Sequence, residues 1–271
     1  MSIPTVELSQ SPQSIAESKV NIANKVPAVT AFFWIIKVLC TTIGETAADY
    51  LNEKMSLGLN GTSVVMGALL LVALAIQFSR KEYVPIVYWV AVVLISIVGT
   101  LITDNLTDNL GVPLVTSSVV FAIVLLGTMM LWLRVEGTIS IHSITTPRRE
   151  LFYWLTVLFT FALGTATGDL VAEQWNLGYR ASLLLFMAII AVIGLAYSQL
   201  GLNATAAFWL TYILTRPLGA SLGDYLSQAP GDGGLGLGTM ATSLIFLVVI
   251  MWLVIYLTRT QRDTDTAAYA S

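Results

Sequence analysis

Eight long apolar segments, each about twenty residues in length, are the feature that most restricts how this chain can fold. A helix of that length crosses the hydrocarbon core of a bilayer, which is about 30 Å thick. Hydrophobic residues make up 56% of the chain and charged residues 11%, a composition that excludes an ordinary soluble domain. We therefore predict an all-α membrane protein with eight transmembrane helices, over residues 29–51, 62–79, 84–103, 112–133, 151–171, 179–200, 204–223 and 238–258.

The connections between these segments differ in basic residues, which predicts the orientation of the helices. Nine Lys and Arg residues fall on one side, and only Lys54 and Arg180 fall on the other. Because basic residues concentrate on the cytoplasmic side, we predict a multi-pass membrane protein with both termini cytoplasmic. The transmembrane domain is expected over residues 28–259, between a disordered tail at 1–27 and a second tail at 260–271.

Four tandem repeats are visible in the order of Trp, Gly and Asp residues. In each copy an aromatic residue precedes a Trp, a Gly follows that Trp by ten residues, and an Asp follows it by fifteen. The Trp residues are Trp34, Trp89, Trp154 and Trp209, the Gly residues are Gly44, Gly99, Gly164 and Gly219, and the Asp residues are Asp49, Asp104, Asp169 and Asp224. The spacing predicts four helical hairpins, over residues 31–80, 86–134, 151–200 and 206–258.

Two-helix repeats in series all cross the membrane in the same direction. The simplest assembly is therefore a ring of four hairpins with pseudo-fourfold symmetry about the membrane normal. Inverted-repeat folds need an odd number of helices per repeat and are disfavoured here. A nested pairing of two four-helix halves is the alternative.

The motifs FFW, VYW, FYW and AFW, each followed by G-x-x-x-x-D, resemble a family of bacterial membrane proteins. That family consists of four tandem two-helix repeats with a characteristic tryptophan, a repeat of unknown function. The resemblance covers roughly residues 31–258 and implies the same repeated fold, in a bacterial cytoplasmic membrane. It implies no activity, substrate or site, so the function has to be inferred from the residues themselves.

Small residues form one face of the first helix in each repeat, at ten and fourteen positions after the Trp. This spacing lets helix backbones approach closely, and we assign the four Gly residues and the four Trp residues to packing between repeats. The Trp residues are also expected to form an aromatic belt near the inner membrane interface, and a gating ring is the alternative.

Acidic residues run along the neighbouring face of the same helices. Residues four positions apart stay on one helix face, so Glu45 and Asp49 share a face in the first repeat. The repeated Asp residues lie near the helix carboxyl ends, where the helix dipole disfavours an anion and a positive charge is expected to compensate. The candidate cation ligands are Glu45, Asp49, Asp104, Asp169 and Asp224, with the hydroxyls of Thr100 and Thr165.

The compensating charge is either a bound cation or a protein side chain. Carboxylates and hydroxyls suit Ca²⁺, Mg²⁺, Mn²⁺ or an alkali ion, and the identity of any metal is not predicted. Cys40 and His142 are interpreted as structural or incidental. Lys37 and Arg216 lie deeper in the first and fourth repeats and are assigned as charge-pairing or gating residues. They are expected to pair with Glu45, Asp49 or Asp224, or to form a basic barrier below an outward-facing acidic mouth.

Two functional classes follow from these patterns. The first is a transporter or channel for a small cation, and the alternative is a non-transporting scaffold, sensor or complex subunit whose charges pair internally. An enzyme is not expected, because the chain has neither an H-E-x-x-H motif nor the G-x-G-D motif of intramembrane proteases. We expect no cofactor and no nucleic-acid partner, a lipid bilayer as surroundings, and make no prediction of oligomeric state.

Overall fold

The computed structural model describes residues 24–54 and 58–263. Within these ranges the chain forms eight α-helices and no strand. The helices are α1 (Ala31–Asp49), α2 (Gly58–Ser79), α3 (Pro85–Asp104), α4 (Leu114–Glu136), α5 (Pro147–Asp169), α6 (Tyr179–Leu200), α7 (Ala204–Ser227) and α8 (Thr239–Thr260). The prediction of an all-α fold with eight helices is confirmed.

Seven of the eight helices are long and apolar enough to cross a membrane, which makes this a membrane protein with several transmembrane helices. The exception within the described ranges is α7, which carries Arg216, Pro217 and Asp224 inside the helix. The ends of the helices follow local signals. For example, α5 begins four residues before the predicted segment because Pro147 takes the first helical position and the Thr146 hydroxyl accepts a hydrogen bond from the Arg149 amide.

The first helices of the four repeats form a closed inner ring. In this ring α1 contacts α3, α3 contacts α5, α5 contacts α7, and α7 returns to contact α1. We call the half of the ring that holds the four repeated Trp residues the tryptophan end, and the opposite end the aspartate end. Each of α1, α3 and α5 continues after its Asp into a π-helical turn, at Tyr50–Lys54, Asn105–Asn109 and Leu170–Gln174.

The second helices of the repeats lie outside the ring. Each packs mainly on the ring helix of the following repeat, so that α2 lies on α3, α4 on α5, α6 on α7 and α8 on α1. Each outer helix therefore packs mainly on a neighbouring repeat and not on the first helix of its own predicted hairpin. The outer helices expose large apolar side chains, including Val64, Leu71 and Ile123, as expected of a surface in contact with lipid tails.

The structure differs from the predicted tails at the residues next to the transmembrane domain. Residues 1–23 and 264–271 lie outside the described ranges. Residues 24–26, expected to be part of the disordered tail, are instead buried at the tryptophan end. Lys25 is held there because its ammonium group donates to Glu150 at 2.6 Å and to the carbonyl of Phe78 at 3.1 Å. At the other terminus, Asp263 is buried and accepts a hydrogen bond from the Tyr83 hydroxyl at 2.6 Å.

Candidate cation-binding site

The four repeated Gly residues are the points where neighbouring ring helices touch. In each case a Cβ atom on the Gly would overlap the side chain seven positions after the Trp of the next repeat. The pairs are Gly44 with Ser96, Gly99 with Phe161, Gly164 with Arg216, and Gly219 with Thr41. The same contact therefore recurs at all four junctions of the ring, including the one that closes it.

The aromatic residues at the tryptophan end follow the same rule. The aromatic ring that precedes each Trp packs against the Trp of the next repeat. The pairs are Phe33 with Trp89 at 5.7 Å between ring centres, Tyr88 with Trp154 at 5.5 Å, Tyr153 with Trp209 at 6.2 Å, and Phe208 with Trp34 at 5.5 Å. Trp89, Trp154 and Trp209 are buried and Trp34 is half-buried, so the Trp residues pack between helices instead of forming the expected belt towards lipid.

Arg216 lies at the centre of the ring, with none of its surface exposed. Its Nη2 atom donates to Glu45 Oε2 at 2.8 Å and to Thr165 Oγ1 at 2.8 Å, and it also contacts the Thr100 hydroxyl. Its Nη1 atom donates to the carbonyl oxygen of Thr41 at 3.3 Å. The guanidinium group on α7 thus touches α1, α3 and α5 together. Glu45, one of the three carboxylates expected as its partner, forms an ion pair with it.

Three carboxylates converge beside this pair. The ligand oxygens of Glu45, Asp49 and Asp224 lie within 4.8 Å of one another. Glu45 and Asp49 are one helical turn apart on α1, and Asp224 approaches from α7. The approach depends on Gly223, since a Cβ atom there would lie 3.2 Å from Thr46 and 3.4 Å from Glu45. We call Glu45, Asp49 and Asp224 the acidic cluster.

Asp104 and Asp169 lie around the acidic cluster without belonging to it. Both are half-buried at the aspartate end of the ring. Asp104 is close enough to interact electrostatically with Glu45 and Asp49, and Asp169 with Glu45 and Asp224. The four repeated Asp residues therefore surround a common region, to which Glu45 adds a fifth carboxylate.

Lys37 departs from the expected pairing. Its side chain is buried, and its Nζ atom has no hydrogen-bond partner among the described residues. Instead it lies 4.2 Å from the ring centres of both Phe161 and Tyr212. Lys37 is two helical turns before Glu45 on α1, about 12 Å along the helix axis. The Glu45 carboxylate is already paired with the guanidinium group of Arg216. The prediction that Lys37 pairs with a carboxylate of the acidic cluster is therefore wrong.

Three buried tyrosine hydroxyls inside the ring were missed by the sequence reasoning. They belong to Tyr88, Tyr153 and Tyr212. In the repeat pattern Tyr88 and Tyr153 are simply the aromatic residues that precede a Trp. For Tyr88 and Tyr153, a comparison of the repeats could have revealed the hydroxyls, because the first and fourth copies have Phe33 and Phe208 at the same position.

A cavity of about 720 Å³ opens at the tryptophan end, outside the ring. Its lining is mostly apolar and includes Trp34, His142, Tyr197 and Phe208, and no residue of the acidic cluster lines it. The cavity and the candidate cation site are thus separate features at different levels of the molecule.

A closed ring of repeated helices, wrapped by apolar helices and filled with buried charge, defines a polytopic membrane protein with internal tandem repeats. The family model described as a Repeat of Unknown Function (DUF347) matches residues 32–83, 87–138, 152–200 and 207–263, and the chain belongs to this family. No curated protein and no solved structure matches the chain.

Proposed function

We propose that this protein is a transporter or channel for a small cation, which binds at the acidic cluster. The observation that carries the proposal is the convergence of Glu45, Asp49 and Asp224, whose ligand oxygens lie within 4.8 Å of one another. Hard oxygen ligands at such separations suit Ca²⁺, Mg²⁺, Mn²⁺ or an alkali ion. Two of the three side chains are buried, so the repulsion between the carboxylates is poorly screened by solvent.

The balance of charge inside the ring supports a cationic ligand. Among the side chains that the structure describes inside the ring, the buried basic ones are Lys37 and Arg216, beside the five carboxylates of Glu45 and the four repeated Asp residues. Arg216 neutralises Glu45, and Lys37 makes no ion pair within the described ranges. An excess of negative charge at buried positions is costly unless a cation or protons neutralise it. Bound cations supply that neutralisation without protonating every carboxylate.

The position of Arg216 supports a barrier below the site. Its guanidinium group fills the centre of the ring and is held by residues from α1, α3 and α5. A cation that passes the acidic cluster has to displace this group or the Glu45 carboxylate. Movement through the protein then requires a change of partners, which prevents passive leak in the resting arrangement.

The wider architecture of the proposal is pseudo-fourfold, with eight transmembrane helices. The recurrence of the Gly contact and of the aromatic contact at all four junctions supports the symmetry. The 24 residues of α7 extend about 36 Å, enough to cross the hydrocarbon core despite their charges. The excess of Lys and Arg at the tryptophan end supports cytoplasmic termini in a bacterial cytoplasmic membrane, with the aspartate end facing outward.

A non-transporting scaffold or complex subunit is the second candidate. It is favoured by the Arg216–Glu45 pair, which joins α7 to α1 and in which Arg216 also donates to Thr100 of α3 and Thr165 of α5. This pair by itself explains why two charges are buried. On this account the ion pair fixes the order of the helices. The acidic cluster would then bind no cation.

Flux assays in proteoliposomes separate the two candidates. We expect the purified parent to carry at least one cation of a panel of Na⁺, K⁺, Mg²⁺, Ca²⁺ and Mn²⁺. The double variant Asp49→Asn and Asp224→Asn keeps side-chain size and should lower the flux at least about tenfold, an effect of about 1.4 kcal/mol or more. Asp232→Asn is the matched control, because Asp232 is exposed in the loop after α7. A folded parent that carries no cation, or a double variant that carries it as well as the control, would overturn the transport proposal.

A further inference from the structure

The three tyrosine hydroxyls inside the ring are arranged in order along its interior. Tyr88, Tyr153 and Tyr212 have no exposed surface and come from α3, α5 and α7. The hydroxyl oxygens of Tyr88 and Tyr153 are 2.5 Å apart and share a hydrogen bond. The Tyr212 hydroxyl is buried beside that of Tyr153, with which it interacts.

Packing alone does not explain these hydroxyls. Phe33 and Phe208 occupy the position of Tyr88 and Tyr153 in the other two repeats and make the same contact with the next Trp. A phenyl ring is therefore sufficient for that contact. The hydroxyls are present only in the second and third repeats, where they meet each other.

Lys37 lies at one end of this series of hydroxyls. Its Nζ atom is 4.2 Å from the centre of the Tyr212 ring and has no hydrogen-bond partner in the part of the chain that the structure describes. The ionisable groups facing it are Cys40 on its own helix and Arg216 and Tyr212 on α7, while α5 presents the apolar ring of Phe161. An ionisable side chain at this depth in a membrane protein is commonly part of a proton relay.

A hydrogen-bonded pair lies at the other end. The ring of Tyr83 packs on that of Tyr88 at 5.7 Å, and the Tyr83 hydroxyl donates to Asp263 Oδ2 at 2.6 Å. Burial raises the pKa of the Asp263 carboxyl from its ordinary value, although the hydrogen bond from Tyr83 opposes that effect. Burial also raises the pKa of Tyr83, which keeps its hydroxyl protonated as a donor. Asp263 is thus suited to accept a proton at the tryptophan end.

We infer that the ring conducts protons between Lys37 and Asp263, through the hydroxyls of Tyr212, Tyr153, Tyr88 and Tyr83. In one transfer the Lys37 ammonium gives a proton to Tyr212, each hydroxyl passes its own proton to the next, and the Asp263 carboxylate receives one. Lys37 becomes a neutral amine, Asp263 a neutral acid, and the hydroxyls are unchanged. Because the Lys37 ammonium group lies over the Tyr212 ring, the first transfer requires its flexible stem to swing the group to the hydroxyl.

Proton transfer at Lys37 couples to the proposed cation flux, and this coupling rests on the proposed function. Loss of the Lys37 charge leaves Arg216 as the single cation of the barrier and lowers the electrostatic obstacle to a cation leaving the acidic cluster. The protein is on this account a cation transporter driven by, or generating, a proton gradient.

Proton movement is measured in proteoliposomes that contain a pH-sensitive dye, first under an imposed pH gradient and then after addition of the transported cation. We expect Tyr153→Phe to lower the rate of proton movement at least about tenfold. Tyr88→Phe should do the same and serves as the second variant if the first does not fold. Tyr197→Phe is the matched control, since that Tyr is 53% exposed on α6, outside the ring.

The outcomes distinguish the two proposals. Folded Tyr153→Phe and Tyr88→Phe variants that move protons like the Tyr197→Phe control would overturn the proton path. A parent that carries cations without any movement of protons overturns the path and leaves the cation proposal intact. A parent that moves protons under a pH gradient but carries no cation supports the path and overturns the cation proposal.

Discussion

The tryptophan end and the aspartate end of the ring are built from the same four helices, but the four repeats agree more closely in residue type at the tryptophan end. At the tryptophan end each junction has an aromatic ring packed on the Trp of the next repeat, and the residue types hardly vary. Further along the helices, the position seven residues after the Trp holds four different side chains. They are Thr41, Ser96, Phe161 and Arg216.

This difference distinguishes the positions of the repeat that helix packing requires from the positions that can vary between copies. Positions that repeat in all four copies, such as the Trp and the Gly residues, make the contacts that close the ring. Positions that differ between copies, such as Lys37 and Arg216, place charge in the interior without a counterpart in the other repeats. Lys37 and Arg216 thus lie where the repeat is broken, whereas Asp49 and Asp224 of the acidic cluster stand at a position that repeats.

The largest expected effect comes from breaking the charge pair at the centre. Arg216→Met leaves Glu45 buried without its partner, and loss of one member of a buried pair costs about 3–5 kcal/mol of unfolding free energy. The unfolding free energies of the variant and the parent, measured in detergent, give the size of this loss. Arg180→Met is the control, because Arg180 is exposed at the start of α6.

The same experiment can be sharpened with the pair of substitutions Arg216→Met and Glu45→Met. Removing both charges should recover much of the lost stability, since no unpaired ion is left inside the ring. If Arg216→Met were as stable as Arg180→Met, the central pair would contribute nothing to holding the four helices together.

A smaller effect is expected at the repeated packing positions. Gly99→Ala places a Cβ atom against Phe161 and within 3.3 Å of the Ala162 backbone nitrogen, and overpacking of this kind costs about 1–3 kcal/mol. Gly67→Ala on the outer helix α2 meets nothing within 4 Å and should instead stabilise the helix, by up to about 1 kcal/mol. Thermal unfolding of the two variants compares them directly. Equal shifts of the same sign would argue against close contact at the ring junctions.

The helices and their repetition could be predicted from the sequence, because apolar length and the Trp, Gly and Asp spacings are properties of single segments. The partners of the buried charges could not. Spacing places Lys37 and Glu45 on one helix, but only the packing of α7 against α1 determines that Arg216 reaches Glu45 first. In the same way, the belt prediction failed because the ring buries Trp89, Trp154 and Trp209 against neighbouring repeats, which one segment cannot reveal.

The central claim is that the acidic cluster binds a cation, and the position of a bound ion tests it most directly. Crystals of the parent protein soaked with Mn²⁺, and others with Rb⁺, can be measured at wavelengths where these ions scatter anomalously. We predict a peak for at least one ion within about 3 Å of carboxylate oxygens from Glu45, Asp49 and Asp224. Its absence from crystals of the Asp49→Asn and Asp224→Asn double variant is the expected control. Peaks located only elsewhere, or none at the cluster with either ion, would contradict the claim.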